Sequence, residues 1–223
     1  MTGSIRTVLF DLDGTLADTA PDLAAALNRV LVEEGRAPLP FARIRPVVSH
    51  GSTGLLRLGF GVAPDDPAFA PLRARLLEHY AANLCRETRL FPGMTEVLLW
   101  LQARGLRWGI VTNKPSYLTE ALVPQLSLPH PPACIVSGDT TGNRKPHPEP
   151  MLHACALTGG DPAEVLYVGD AERDVRAGRA AGMRTVVALY GYIGEDEEPA
   201  SWGADGAIRA PLELPGWLEA RGY

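Results

Sequence analysis

The sequence is poor in cysteine and contains no long hydrophobic run, and each absence excludes a class of protein. Its three cysteines are widely separated and form no C-x-x-C pair, which argues against a disulfide framework and against a zinc site of that type. The longest uncharged apolar stretch, 121–138, contains four prolines and therefore cannot be a membrane-spanning helix. The first residues lack the apolar core of a signal peptide, so we expect a cytoplasmic protein.

Lysine is also scarce. Of the 21 basic residues, 19 are Arg and only Lys114 and Lys145 are Lys. Arg does not replace Lys where a compact ammonium must reach a single point, so both lysines are candidates for a specific role. The net charge of −5, with no basic cluster, argues against nucleic acid or a membrane surface as a partner and favours a small substrate.

Short apolar runs alternate with amphipathic segments along the chain. The runs predicted as strands are 7–10, 108–112, 134–137, 165–168 and 185–189. The segments predicted as helices between them are 93–104, 116–125, 148–157 and 172–181. Because the runs are apolar on both faces, the pattern predicts an α/β fold with a doubly wound parallel sheet covered by helices on either side.

Almost a hundred residues separate the first two predicted strands, far more than one crossover helix needs. Pro21 opens an apolar stripe that ends at Gly35, and a second helical stretch covers 72–84. We therefore predict a small helical cap at residues 18–86, inserted after the first strand. Residues 1–17 and 87–223 are predicted to form the α/β catalytic core, with the cap over the sheet edge where such folds bind ligands.

Polar residues follow the predicted strands. Asp11 and Asp13 come directly after the first strand, although an acidic pair alone could equally cap a helix. The later strands are followed by groups suited to a phosphate and a divalent metal: Thr112, Asn113, Lys145, Asp170 and Asp174. Each has a structural explanation when taken singly, but their convergence on one sheet edge indicates a functional site.

These residues occur in the order Asp11-x-Asp13-x-Thr15, Thr112, Lys145 and Gly169-Asp170-x-x-x-Asp174. That order resembles the haloacid dehalogenase superfamily, and the resemblance covers the whole chain. It implies a core sheet of strand order 5-4-1-2-3 with a helical insert after the first strand. The segments 108–115 and 145–150 are similar to phosphoglycolate phosphatases, and the tail at 190–205 is most similar to their N-acetylmuramic acid 6-phosphate phosphatase branch.

The resemblance also implies roles for the carboxylates. Asp11 would be the nucleophile that forms an aspartyl-phosphate, and Asp13 would be the general acid and then the general base. Mg²⁺ is the implied cofactor, held by Asp11, the backbone carbonyl of Asp13 and Asp170. Asp174 would either bind the metal through water or orient Lys145.

The remaining implied roles concern the phosphate. Thr112 and the Asn113 amide would bind its oxygens, and Lys145 would neutralise charge between the phosphate and Asp11. Lys114 is expected near the mouth of the site, either steering an acidic substrate or lying there as plain surface charge. Thr15 favours a phosphatase over a sugar-phosphate mutase.

The cap is expected to select the substrate, because the core contacts only phosphate. The polar segment 49–54 is predicted to be a specificity loop. The candidate residues are His50 within it and Arg45 and Arg57 on either side, with packing and solvent exposure as the alternative for His50 and Arg57. The expected partner is a small phosphorylated metabolite, and a monomer and a homodimer both remain open. The alternatives to a phosphatase are a sugar-phosphate mutase, a phospho-Asp signalling receiver and an inactive binding module.

Overall fold

A computed structural model describes residues 4–222. The strands are β1 (Thr7–Phe10), β2 (Ala17–Asp18), β3 (Arg89–Leu90), β4 (Arg107–Val111), β5 (Ile135–Val136), β6 (Val165–Gly169), β7 (Arg184–Ala188) and β8 (Gly206–Ile208). The helices are α1 (Ala20–Glu33), α2 (Phe41–Ile44), α3 (Gly51–Phe60), α4 (Phe69–Ala82), α5 (Met94–Ala103), α6 (Ser116–Leu122), α7 (Glu149–Thr158), α8 (Glu172–Ala180) and α9 (Glu213–Glu219). Within the described residues, no helix is long and apolar enough to cross a membrane.

The main sheet has six parallel strands in the order β5-β4-β1-β6-β7-β8. Read from the β7 side and numbered along the chain, the five predicted strands follow the order 5-4-1-2-3, so the predicted topology is confirmed. β1 lies in the centre, with Phe10 level with Ile110 of β4 and Val168 of β6. This register brings the residues that follow β1, β4 and β6 to one place on the sheet edge.

Apolar residues cover both faces of this sheet. Along β1, Val8 and Phe10 pack into one buried cluster, whereas Leu9 packs into another that also contains Tyr167. Successive strand residues point to opposite faces, so a strand buried on both faces is apolar throughout. The continuous apolar runs in the sequence have this physical origin.

Helices α1–α4 lie between β2 and β3. These two short strands pair antiparallel, Asp18 opposite Arg89, so the chain leaves the core and returns to it at neighbouring points. Helix α1 packs against α3 and α4, and Leu27 and Leu76 of α1 and α4 are fully buried. We propose that these helices act as the predicted cap.

The prediction of a polar loop at 49–54 is wrong, because the segment is helical. A 3-10 helix spans Arg45–His50, and α3 starts directly at Gly51. Pro46 suits the first turn of the 3-10 helix, and Gly51 has a φ of +62°, a conformation that lets the chain change direction between the two helices. Glycine and serine were therefore misleading signals for irregular structure here.

Several elements differ from their predicted bounds or were not predicted. The helix predicted at 116–125 ends at Leu122 and continues as a 3-10 turn, because Pro124 has no N–H to donate. Strands β2, β3 and β8 are too short to show a periodicity. Helix α9 was not predicted because it contains Pro215 and Gly216, two residues that are poor helix formers.

Candidate active site

Three buried carboxylates meet at the centre of the sheet edge. Asp11 follows β1, Asp170 follows β6 and Asp174 lies in the first turn of α8. One oxygen from each lies within 4.8 Å of the others. The turn after Asp11 depends on Gly14, which has a φ of +84° and lies so close to the Asp170 carboxylate that a Cβ atom there would collide with it.

Burial raises the pKa values of two of these carboxyl groups, Asp11 and Asp170. Burial raises the pKa of Asp170 to about 7, and the neighbouring charges of Asp11 and Asp174 add to the shift. Burial also raises the pKa of Asp11, against the opposing attraction of Lys145. Buried carboxylates that repel one another are a donor set that a hard divalent cation such as Mg²⁺ would stabilise, so the residues present fit that metal.

Lys145 joins two of these carboxylates. Its side chain is 0% exposed, and its Nζ lies 3.0 Å from Asp11 Oδ1 and 2.8 Å from Asp174 Oδ1. Nζ also donates to the Val111 carbonyl (2.9 Å) and the Tyr167 hydroxyl (2.8 Å). Both roles predicted for Asp174 fit this geometry, because the residue contacts Lys145 and also belongs to the carboxylate cluster.

The predicted phosphate-binding residues lie beside this cluster. Thr112 and Asn113 line the same cavity as Asp11. The Asn113 side chain is itself engaged, because its Oδ1 accepts from the backbone N–H of Lys145 (3.0 Å) and its Nδ2 donates to the Lys145 carbonyl (2.9 Å). Asn113 therefore holds the backbone of Lys145 in place, a role that the sequence did not indicate.

Lys114 is buried, and its predicted place as plain surface charge is wrong. Its Nζ donates to Asp13 Oδ1 (2.9 Å) and to the hydroxyl of Tyr80 (2.9 Å). Burial disfavours the charged ammonium, but the attraction of Asp13 and the bonds to Tyr80 outweigh it and raise the pKa of Lys114 above its usual value. Burial also raises the pKa of Tyr80 to about 12.

A cavity of about 400 Å³ opens over Asp11 and Asp13. Its wall on the side of the α1–α4 helices includes residues 48–53, so most of the segment predicted to select the substrate lines the same cavity as Asp11 and Asp13. His50 is among these residues. Arg45 instead donates to the carbonyls of Tyr190 and Gly191, and Arg57 is exposed on α3, so neither of these predicted candidates is placed in the cavity wall.

Two further side chains reach the carboxylates without having been predicted. Arg173 lines the cavity, and its Nη2 atom lies 3.7 Å from Asp11 Oδ2. It directly precedes Asp174 in the motif, and this position is a sequence signal that could have identified it. Ser49 donates from its hydroxyl to Asp170 Oδ2 at 2.6 Å. Sequence reasoning could not pair Ser49 with Asp170, because 121 residues separate them.

Open α/β sheets bind ligands outside the carboxyl ends of their strands, and here that edge carries carboxylates, ammonium groups and a cavity. The fold and the site thus define an α/β enzyme with a metal-compatible acidic centre. The sequence model of the haloacid dehalogenase-like hydrolase family matches residues 8–188 of this chain. The chain belongs to the haloacid dehalogenase-like hydrolase family, as its motifs indicated.

Several similar proteins are phosphatases by name. The chain is 42% identical over 210 residues to N-acetylmuramic acid 6-phosphate phosphatase of Pseudomonas putida, covering 94% of each chain. It is 45% identical over 209 residues to phosphoglycolate phosphatase of Xanthomonas campestris, again covering 94% of each. The crystal structure of a predicted phosphoglycolate phosphatase from Haemophilus somnus superposes with a TM-score of 0.84 at 25% identity, covering 97% of this chain and 99% of that one.

Proposed function

We propose that this chain, a phosphatase of the haloacid dehalogenase-like hydrolase family, hydrolyses a small phosphorylated metabolite through an aspartyl-phosphate on Asp11. The observation that carries the proposal is the position of Asp11: its buried carboxylate lies 3.0 Å from the Lys145 ammonium and lines a cavity that Asp13 also lines. The direct test is hydrolysis of p-nitrophenyl phosphate in the presence of Mg²⁺. No hydrolysis would support an inactive binding module, and transfer of phosphate between sugar hydroxyls would support a mutase.

In the first half of the reaction, an Asp11 oxygen attacks phosphorus while the bond to the alcohol oxygen breaks. Thr112 and the backbone of Asn113 bind the non-bridging oxygens, and Lys145 and Arg173 offset their negative charge. Asp13 gives its proton to the departing alcohol oxygen. In the second half, Asp13 takes a proton from water as that water attacks phosphorus, and the bond between the Asp11 oxygen and phosphorus breaks, which releases phosphate and restores the carboxylate.

Mg²⁺, held by Asp11, Asp170 and the Asp13 carbonyl, would supply positive charge to the phosphate oxygens. A chelator should therefore lower the rate by about 10²-fold or more, because the carboxylates would then repel the phosphate. The measurement is p-nitrophenyl phosphate hydrolysis with excess EDTA, with the EDTA pre-saturated with Mg²⁺ as the control. Full activity in free EDTA would contradict the metal assignment.

Asp13→Asn should slow the hydrolysis of an alkyl phosphate by about 10²-fold or more, the usual effect of losing a general acid and base. Asn has nearly the same shape as Asp but carries no transferable carboxyl proton. The measurement is kcat on an alkyl phosphate, with circular dichroism to verify that the variant folds. A normal rate on this poor leaving group would show that Asp13 has another role.

We propose a phosphorylated carboxylic acid as the substrate. The relatives named above are called N-acetylmuramic acid 6-phosphate phosphatase and phosphoglycolate phosphatase, and both of those substrates carry a carboxylate in addition to the phosphate. The similar identities of 42% and 45% do not separate the two. A comparison of kcat/KM for 2-phosphoglycolate, N-acetylmuramic acid 6-phosphate and hexose phosphates would identify the preferred class.

His50 lines the cavity and is the candidate for contact with the non-phosphate part of the substrate. His50→Ala should lower kcat/KM for the preferred substrate by about tenfold, the value of one hydrogen bond to a charged group, and should spare p-nitrophenyl phosphate. Arg57→Ala is the matched control, because Arg57 is exposed on the same helical region and does not line the cavity. Equal losses on both substrates would assign His50 to folding.

A further inference from the structure

Each of the chain's two lysines pairs with one aspartate of the Asp11-x-Asp13 segment, and Lys145 also pairs with Asp174. Lys145 lies 3.0 Å from Asp11, and Lys114 lies 2.9 Å from Asp13. The Lys114 side chain is only 5% exposed, which is incompatible with a surface charge that merely attracts substrate. In a chain that otherwise uses Arg for positive charge, both lysines are buried beside a reacting carboxylate.

Each lysine also donates to a tyrosine hydroxyl, but the two tyrosines come from different parts of the fold. Tyr167, the partner of Lys145, belongs to the central strand β6. Tyr80, the partner of Lys114, belongs to α4 in the helical segment between β2 and β3. The Lys114 ammonium also lies 4.5 Å from the centre of the Tyr80 ring, in a cation–π contact. Lys114 therefore links α4 directly to Asp13.

The contacts of Asp13 fix only one of its oxygens. Oδ1 accepts from Lys114 Nζ at 2.9 Å and from the Thr19 hydroxyl at 2.6 Å. Within residues 4–222, no side chain or backbone group donates to Oδ2. A carboxyl group anchored at one oxygen has a defined rotation and presents the other oxygen to a ligand in the cavity that Asp13 lines.

From this geometry we infer that Lys114 and Tyr80 are positioning residues for Asp13, which they orient so that Oδ2 faces the departing alcohol oxygen. The inference rests on the proposed phosphatase function and adds a dependence on α4. Because Tyr80 belongs to α4, Lys114 keeps both of its partners, Asp13 and Tyr80, only while α4 lies over it. Protonation of the leaving group is thereby coupled to the position of the helical segment over the site.

The test compares a leaving group that needs a proton with one that does not. An alkyl phosphate such as 2-phosphoglycolate releases a strongly basic alkoxide, whereas p-nitrophenolate departs without protonation. We compare kcat/KM, which covers the steps up to departure of the alcohol and excludes hydrolysis of the phosphoenzyme. The variants are Tyr80→Phe and Lys114→Met, with Tyr117→Phe as the matched control because Tyr117 is 54% exposed on α6.

For the alkyl phosphate, Lys114→Met should lower kcat/KM by about 10²-fold and Tyr80→Phe by about tenfold. For p-nitrophenyl phosphate, both should change kcat/KM by less than about threefold, since that ester makes little use of a general acid. Equal losses on the two esters, or no loss on either, would overturn the inference. If Lys114→Met fails to fold, Tyr80→Phe carries the same test, because it keeps the ring and removes only the hydroxyl.

A double-mutant comparison separates positioning from a general structural effect. In the Asp13→Asn background, Lys114→Met should cause little further loss on the alkyl phosphate, because Lys114 acts through Asp13. Additive losses would contradict the inference. A wild-type enzyme that hydrolyses neither ester would instead refute the proposed function, so the two failures are distinguishable.

Discussion

Asp11→Asn should abolish turnover, with a loss on the order of 10⁴-fold or more, comparable to removal of a catalytic nucleophile in other enzymes. An amide is a very poor nucleophile toward phosphorus, and no aspartyl-phosphate can form on it. The backbone N–H of Leu12 donates to Asp11 Oδ1 at 2.7 Å, a contact that the Asn oxygen can still accept. The variant should therefore fold, and the loss should be chemical.

The measurement for Asp11→Asn is kcat for p-nitrophenyl phosphate, together with thermal unfolding followed by circular dichroism. Tight binding of substrate without turnover is the expected behaviour of the folded variant. Turnover within about tenfold of the wild type would mean that another group attacks phosphorus.

Lys145→Arg should lower kcat by about 10²-fold or more, the scale of losing one electrostatic stabiliser of a transition state. The substitution keeps the charge but replaces a compact ammonium with a wide, forked guanidinium. Lys145 is 0% exposed and its Nζ contacts two carboxylates, a carbonyl and a hydroxyl within 3.0 Å. Arg cannot occupy that space without displacing Asp11 or Asp174.

The same burial predicts an effect on stability. A larger side chain in a closed site destabilises by about 1–3 kcal/mol. We therefore expect a lower Tm as well as a lower kcat for Lys145→Arg. Activity should be assayed well below the measured Tm so that the two effects are separate. Near-normal turnover would show that Lys145 is not the charge that offsets Asp11 and the phosphate.

The sequence was sufficient to predict which residues meet at the edge of the sheet. Parallel strands end on one edge, so residues following β1, β4 and β6 had to lie close together once the strands were recognised. Asp11, Thr112 and Asp170 could be found in this way. Lys145 could be found because it follows the predicted strand at 134–137 and because lysine is rare in the chain.

The contacts that cross from the helical segment could not be predicted. Tyr80 meets Lys114 only because α4 lies over the segment that follows β4, and residues 34 positions apart in the sequence carry no local signal of that contact. Ser49 reaches Asp170 for the same reason. Glycine and serine at 49–54 suggested a loop, although Gly51 permits a turn between two helices. These contacts depend on packing between residues far apart in the sequence, and short-range sequence patterns do not encode such packing.

The most direct test of the central claim is to trap the covalent phosphoenzyme. The wild-type enzyme is mixed with substrate and Mg²⁺, quenched in acid and reduced with borohydride, which converts an aspartyl-phosphate into homoserine; the peptides are then analysed by mass spectrometry. We predict homoserine at position 11 only when substrate is present, and none in Asp11→Asn. Homoserine at another aspartate, or no trapped product during steady turnover in either the wild type or the more slowly hydrolysing Asp13→Asn variant, would contradict the proposed mechanism.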